Sequence, residues 1–200
     1  PSLLTGTVDG TIQLPLDSNF SILADLQIQD LKISGNKVGN IHARAKEVSS
    51  NKQEVLLALS GQDNKLKMSG TISQMADGSL LDLKIDINQL QLKSMEAFFS
   101  DHFSNSEGYL SGEATIKGNS TAPDYSGKLI FNKTAFRLQY LGSHYSIPEE
   151  NISFNNSEIR VDQFTIYDSL ENKFIVEEVA TTGKTVVPSI DVLIVFAVYI

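Results

Sequence analysis

Apolar and polar positions alternate with a period of two along most of this chain. Leu66, Met68, Gly70 and Ile72 share one phase, against Lys65, Lys67, Ser69 and Thr71 in the other. Leu81, Leu83, Ile85 and Ile87 alternate in the same way with Asp82, Lys84, Asp86 and Asn88. A strand turns successive side chains to opposite faces, so each run predicts a strand with one apolar and one wet face. Leu110, Gly112, Ala114 and Ile116 repeat the pattern, as do Phe136, Leu138 and Tyr140. Shorter pieces follow in Ile152 and Phe154, Ile159 and Val161, and Phe164 and Ile166. Leu26 and Ile28 share a phase that Leu31 and Ile33 leave, and a one-residue slip of this kind predicts a β-bulge near Asp30.

Turn residues punctuate these runs. Ser34-Gly35-Asn36, the Ser60–Asn64 stretch, Ala76-Asp77-Gly78, Gly118-Asn119-Ser120, Asn155-Asn156-Ser157 and Asp168-Ser169 each predict a turn. The spacing leaves no room for crossover helices, so the sheet is expected to be antiparallel and meander-like. One stretch departs from the pattern. Residues 94–103 read SMEAFFSDHF, with Met95, Phe98, Phe99 and His102 at helical spacing and Ser94 placed as an N-cap. A short amphipathic helix lying across a sheet end is expected there. A weak boundary is expected near residues 104–108. From Glu177 the alternation fades, and residues 192–200 read VLIVFAVYI, about half the length of a membrane-spanning helix. Such a tail reads as a buried strand, as the start of a longer span, or as sequence foreign to the domain.

Composition narrows the function. The chain has 200 residues, 41% of them hydrophobic, enough for a sizeable core. A formal net charge of −8 argues against nucleic acid, which needs clustered Lys and Arg, and against attraction to an anionic membrane surface. Cysteine is absent, which removes disulfides, Cys-ligated zinc and thiol nucleophiles. The chain opens with Pro1 and carries no signal pattern, so it reads as a mature or excised segment whose targeting information lies elsewhere.

Candidate chemistry is sparse. His42, His102 and His144 have no second ligand at metal spacing, so no metal site is expected. There is no Gly-x-Ser-x-Gly elbow, and no helix follows Gly6 and Gly10 to cradle a phosphate. The adjacent pairs Glu149-Glu150 and Glu177-Glu178 would point to opposite faces of a strand. Asn19, Asn119, Asn132, Asn151 and Asn155 each begin an Asn-x-Ser/Thr triplet, which an Asn- and Ser-rich chain also produces by chance. No catalytic residue, cofactor or enzymatic activity is expected.

What remains is the apolar face. Leaving about 1,000 Å² of it wet would cost roughly 25 kcal/mol at about 25 cal/mol per Å². It must pack on a second sheet as a sandwich, dimerise, or curl into a groove that holds apolar ligand.

Residues 108–131 read GYLSGEATIKGNSTAPDYSGKLIF, in which Gly108, Gly112, Gly118, Pro123 and Gly127 punctuate a Gly-x-Leu-x-Gly-x-x-x-Ile-x-Gly series. The run FNKTAFRLQYLGSHYSI follows, then Ile152-x-Phe154 with Ile159, then Phe164-Thr165-Ile166-Tyr167 ending in Asp168. This ordered series resembles the C-terminal region of the TamB family, the translocation and assembly module relatives of AsmA, with the flavour of Bacteroidetes-type members. The likeness covers residues 3–175. Two departures stand out: Glu171-Asn172 replaces the family's Gly before Asn, and the tail after Val176 does not continue in amphipathic strands.

The resemblance implies an all-β fold, a long curled antiparallel sheet of groove-like, taco shape with one short helix near 94–103. It implies an upstream amphipathic segment at 1–103, a TamB C-terminal-like segment at 104–176 and an atypical tail at 177–200 that is expected to be non-native or disordered. The implied setting is the periplasmic part of an inner-membrane-anchored protein of the bacterial envelope. The implied work is phospholipid transport to the outer membrane and translocation or assembly of outer-membrane proteins and autotransporters. The implied partners are phospholipid acyl chains, an outer-membrane assembly protein of the Omp85 type and client outer-membrane β-proteins. Contact with lipid or client is expected from Leu66, Met68, Ile72, Leu81, Leu83, Ile85, Ile87, Leu110, Ile116, Leu129, Phe131, Phe136, Leu138, Tyr140, Ile152, Phe154, Ile159, Val161, Phe164 and Ile166. Bends and turns are expected at Gly108, Gly112, Gly118, Pro123, Gly127 and Asp168. The alternative is a structural or adhesin-like β-sandwich of an envelope or secreted protein.

Overall fold

The computed structural model describes residues 4–14, 22–99 and 101–176. The tail at 177–200 and its expected departure from the domain lie outside these residues. Strands β1 (Leu4–Gln13), β2 (Leu23–Ile33), β3 (Asn36–Ser49), β4 (Lys52–Gly61), β5 (Asn64–Met75) and β6 (Gly78–Gln91) form an antiparallel meander. Helix α1 (Leu92–Phe99) follows, and then β7 (Phe103–Asn119), β8 (Asp124–Leu138) and β9 (Ser143–Asn155) extend the same sheet. β10 (Ile159–Val161) and β11 (Phe164–Asp168) lie end to end against β9, and β12 (Lys173–Val176) completes the far edge on β11.

All twelve strands belong to one open sheet, in which β1 and β12 do not meet. The all-β, curled antiparallel fold with one short helix is therefore the architecture of the chain. It is not the two-sheet sandwich of the alternative reading. β7 runs unbroken through the boundary expected at 104–108, where the register shifts twice between Ser104 and Tyr109. The bulge expected near Asp30 is present: the register slips between Ile28 and Leu31, and Asp30 takes a left-handed φ of 52°.

The helix differs from its expected span. It begins at Leu92 and ends at Phe99, so Ser94 lies inside it and His102 lies in the turn beyond. Ser94 is buried, and its hydroxyl accepts a hydrogen bond from Asn64 Nδ2 at 2.7 Å instead of capping the helix.

Curvature comes from how the apolar face is filled. Leu92, Leu110, Phe131, Ile147, Ile152, Val161, Phe164, Ile166 and Val176 form one buried cluster drawn from α1, β7, β8, β9, β10, β11 and β12. The rings of Phe131 and Phe164 meet edge to face at 5.3 Å. The sheet thus rolls over on itself from β7 onward. A second, smaller cluster of Leu31, Ile33 and Val38 packs with Ile28, Ile41 and Leu59 on β2, β3 and β4.

Candidate apolar trough

Pairing carries the period-two pattern sideways into continuous rows. One inner row runs Val8, Ile28, Ile41, Leu59, Leu66, Ile87, Gly112, Leu129 and Ile152. The next runs Gly10, Leu26, Ala43, Leu57, Met68, Ile85, Ala114, Gly127 and Phe154. A third joins Ile12, Ala24, Ala45, Val55, Gly70, Leu83, Ile116 and Tyr125. None of the three carries a charge. The outer face reads Asp9, Gln27, His42, Ala58, Lys67, Asp86, Glu113, Lys128 and Ser153 along one such row. There Lys84 pairs with Asp86 at 2.8 Å and Glu113 at 3.6 Å, and Asp25 pairs with His42 and Arg44. The His42 hydrogen bond lowers the Asp25 pKa most; desolvation opposes it, and Arg44 adds to the lowering.

The inner face has two parts. Over β4, β5, β6 and the distal half of β7, Leu66, Met68, Ile72, Leu81, Ile85, Ile87 and Ile116 are half-buried, and Leu83 is buried. Toward the β1 edge the rows are open: Val8 is 66% and Ile12 56% exposed. From β8 onward the rows close. Leu110, Phe131, Ile152, Val161, Phe164 and Ile166 fill the main cluster, with Leu129 and Phe136 packed against it. Ile159 is buried and Phe154 half-buried. Leu138 is buried opposite Phe103. Tyr140 is a correction: it is 85% exposed in the turn after β8, because the chain leaves the strand before the alternation reaches it.

Two of the expected bend glycines act within strands and not at their ends. A Cβ on Gly112 would sit 2.1 Å from the Lys128 carbonyl oxygen, and on Gly127 2.6 Å from that of Glu113. A Cβ on Gly70, on the same inner face, would lie 2.0 Å from the Asp82 carbonyl oxygen. Missing side chains let the strands close up on the concave side. Gly108 is a left-handed position in the irregular start of β7, and Gly118 lies near that strand's end. Pro123 precedes β8 in a turn, where no ladder donor is needed. Asp168 ends β11 and accepts from the backbone of Leu170 and Asn172 and from the Asn172 amide. The Asn172 side chain, ahead of the backbone donors, holds its carboxyl below the usual range.

One end of the trough is stopped by α1. The helix touches β6 and β7 on one side and β2 and β3 on the other. A polar cluster fixes it. Asn64, at the start of β5, donates to the Val38 carbonyl at 2.9 Å and to Ser94, and its oxygen accepts from Gln91 N at 2.7 Å. Glu96, its side chain only 7% exposed, accepts from Lys93 Nζ and from the Ser106 backbone N–H. Burial pushes the Glu96 carboxyl up, but these hydrogen bonds and the Lys93 charge outweigh it and hold it below its ordinary value.

Sequence reasoning missed the upstream part of the inner face. Ile41, Ala43 and Ala45 alternate only weakly because two of them are small, and the run Val55-Leu56-Leu57-Ala58-Leu59 hides its phase by placing Leu56 outside. The hairpin turns at Ser50-Asn51 and after Leu138 were also missed, since the first has no Gly or Pro.

Among the described residues, no group of three or more His, Asp or Glu side chains could hold a metal ion, and no helix is long and apolar enough to cross a membrane. No family model, curated protein or solved structure matches the chain.

Proposed function

We propose that this chain is a non-enzymatic segment of a TamB-like envelope protein and that its curled sheet carries phospholipid acyl chains. The observation that carries the reading is the set of three uncharged inner rows, which stay half-open over β4 to β7 and are set against a charged outer face. Apolar surface left wet is costly, and a hydrocarbon tail covers it without needing hydrogen bonds. The Gly and turn series at 108–168 supports placing the chain beside TamB relatives, and with it the periplasm and phospholipid delivery to the outer membrane.

A second role in assembly of client outer-membrane proteins is favoured by the β1 edge. All ten residues of that strand are exposed, and one side of its backbone ladder is unpaired among the described residues. A client strand adding there would gain main-chain hydrogen bonds and extend the inner rows.

The test is transfer of a fluorescent phospholipid between two vesicle populations. The chain is expected to raise the transfer rate in proportion to its concentration. A rate equal to that of an inert soluble protein would overturn the lipid reading.

A further inference from the structure

We propose that helix α1 makes the trough blind at one end, so that a phospholipid inserts in one direction only, acyl tail toward α1 and headgroup at the opposite mouth. The inference rests on the lipid reading above and adds to it a direction and a stop.

The two ends differ in construction. At the first, the chain between β6 and β7 does not turn tightly but forms α1, which crosses the concave side and touches both walls. Leu92 joins the main buried cluster, and Met95 packs against it. Asn64 ties the helix to the β5 start and the Val38 carbonyl, and Glu96 ties it to β7 through Ser106. The stop is therefore pinned directly to β5 and β7 by buried hydrogen bonds, which are costly to leave unmade.

At the second end, only hairpin turns stand among the described residues. They lie between β3 and β4, between β5 and β6, between β7 and β8, and between β9 and β10. Neighbouring turns are stitched together: Gln74 N donates to the Asn51 carbonyl at 2.7 Å, and Ser120 N to the Ser79 carbonyl at 2.7 Å. Lys52, Asp77 and Asp124 are exposed there, and Glu47 and Gln53 pair at the last inner position of β3 and β4. Charges of both signs at this mouth suit a zwitterionic headgroup, and the uncharged rows behind it suit a tail. Between the Leu81 and Ile87 levels of β6 the inner face is about 20 Å long at ~3.3 Å per residue, which accommodates an extended acyl chain.

The experiment uses the full chain and two photoreactive phosphatidylethanolamines, one with a diazirine at the acyl terminus and one with it on the headgroup. Each is delivered from phosphatidylcholine vesicles, and the labelled peptides are mapped by mass spectrometry. The acyl-terminal probe is expected to label peptides containing Met95, Leu66 and Ile87, and the headgroup probe those containing Lys52, Asp77 and Asp124. Asn64→Ala, checked by circular dichroism to retain its sheet, is expected to lose this separation as α1 loosens. Equal labelling of both ends by both probes in the wild type would overturn the blind end while leaving lipid binding intact. Inner-face labelling by neither probe would instead overturn the lipid reading on which the proposal depends.

Discussion

Glu96 shows what a single buried charge does for this fold. Its carboxylate meets the Ser106 N–H and the Lys93 ammonium, and the latter is largely in water. Glu96→Ala is expected to lower stability by about 1–3 kcal/mol, because the Ser106 N–H is left buried without an acceptor. Glu96→Gln keeps an acceptor oxygen and loses only the Lys93 charge interaction, so its cost is smaller. The carboxyl is held below the ordinary glutamate value of 4.5. Its charge therefore stabilises the fold fully above that value, and the contribution fades as pH falls through the lowered value of the folded state. Urea unfolding across an acidic pH series is expected to show wild type and Glu96→Gln converging at the acid end, and a gap that ignores pH would refute the assignment. None of this was legible in sequence. Ser94 carries the local signature of an N-cap, but its partner Asn64 lies 30 residues away, and local spacing says nothing of such a contact. Tyr140 failed for a related reason, since alternation continues on paper through a residue where the chain has already turned.

Within the strands, two kinds of glycine separate backbone strain from lack of space. Gly35 sits in the β2–β3 turn with φ at 85° and nothing within 4 Å of an added Cβ. Gly70 sits inside β5, where a Cβ would lie 2.0 Å from the Asp82 carbonyl oxygen and 2.9 Å from the Leu83 Cα. Gly35→Ala is expected to cost about 1 kcal/mol from its left-handed φ alone. Gly70→Ala adds a collision with backbone of β6 that no rotamer relieves, so its loss in urea unfolding is expected to be clearly the larger. Equal losses would mean that close strand approach at Gly70 contributes nothing to the curvature. Element type was readable wherever large apolar residues alternated, as at 81–88, and wherever Gly, Asp or Asn marked a turn. It was unreadable where small alanines or an unbroken apolar run blurred the phase, as in β3 and β4. The start of α1 slipped because Leu92 and Lys93 continue a strand pattern on paper while packing as helix.

Across the whole molecule, one rule organises the sheet: residues two apart along a strand, paired across nine strands, make rows of one polarity. Alternation foretold the single apolar face but left a sandwich, a dimer and a groove all open, and the curl was expected only from the family resemblance of the series at 108–168. It did not foresee the division into a packed half beyond β8 and a half-open stretch over β4 to β7, because packing of Phe131 on Phe164 is a contact between distant strands. The central claim is that the half-open stretch holds phospholipid, and Ile85, half-buried in the middle row, is the position that reports on it most directly. An arginine there can extend its head toward water along the open face, so the sheet survives while the tail loses its apolar floor. Lys84→Gln changes only the outer face, where its ion pairs are exposed and contribute little. The decisive measurement is the phospholipid bound per chain, by native mass spectrometry, in the wild type, Ile85→Arg and Lys84→Gln, each shown by circular dichroism to be folded. The account predicts bound phospholipid in the wild type and Lys84→Gln and its loss in Ile85→Arg. A folded wild type free of phospholipid, or a folded Ile85→Arg carrying as much as the wild type, would contradict it.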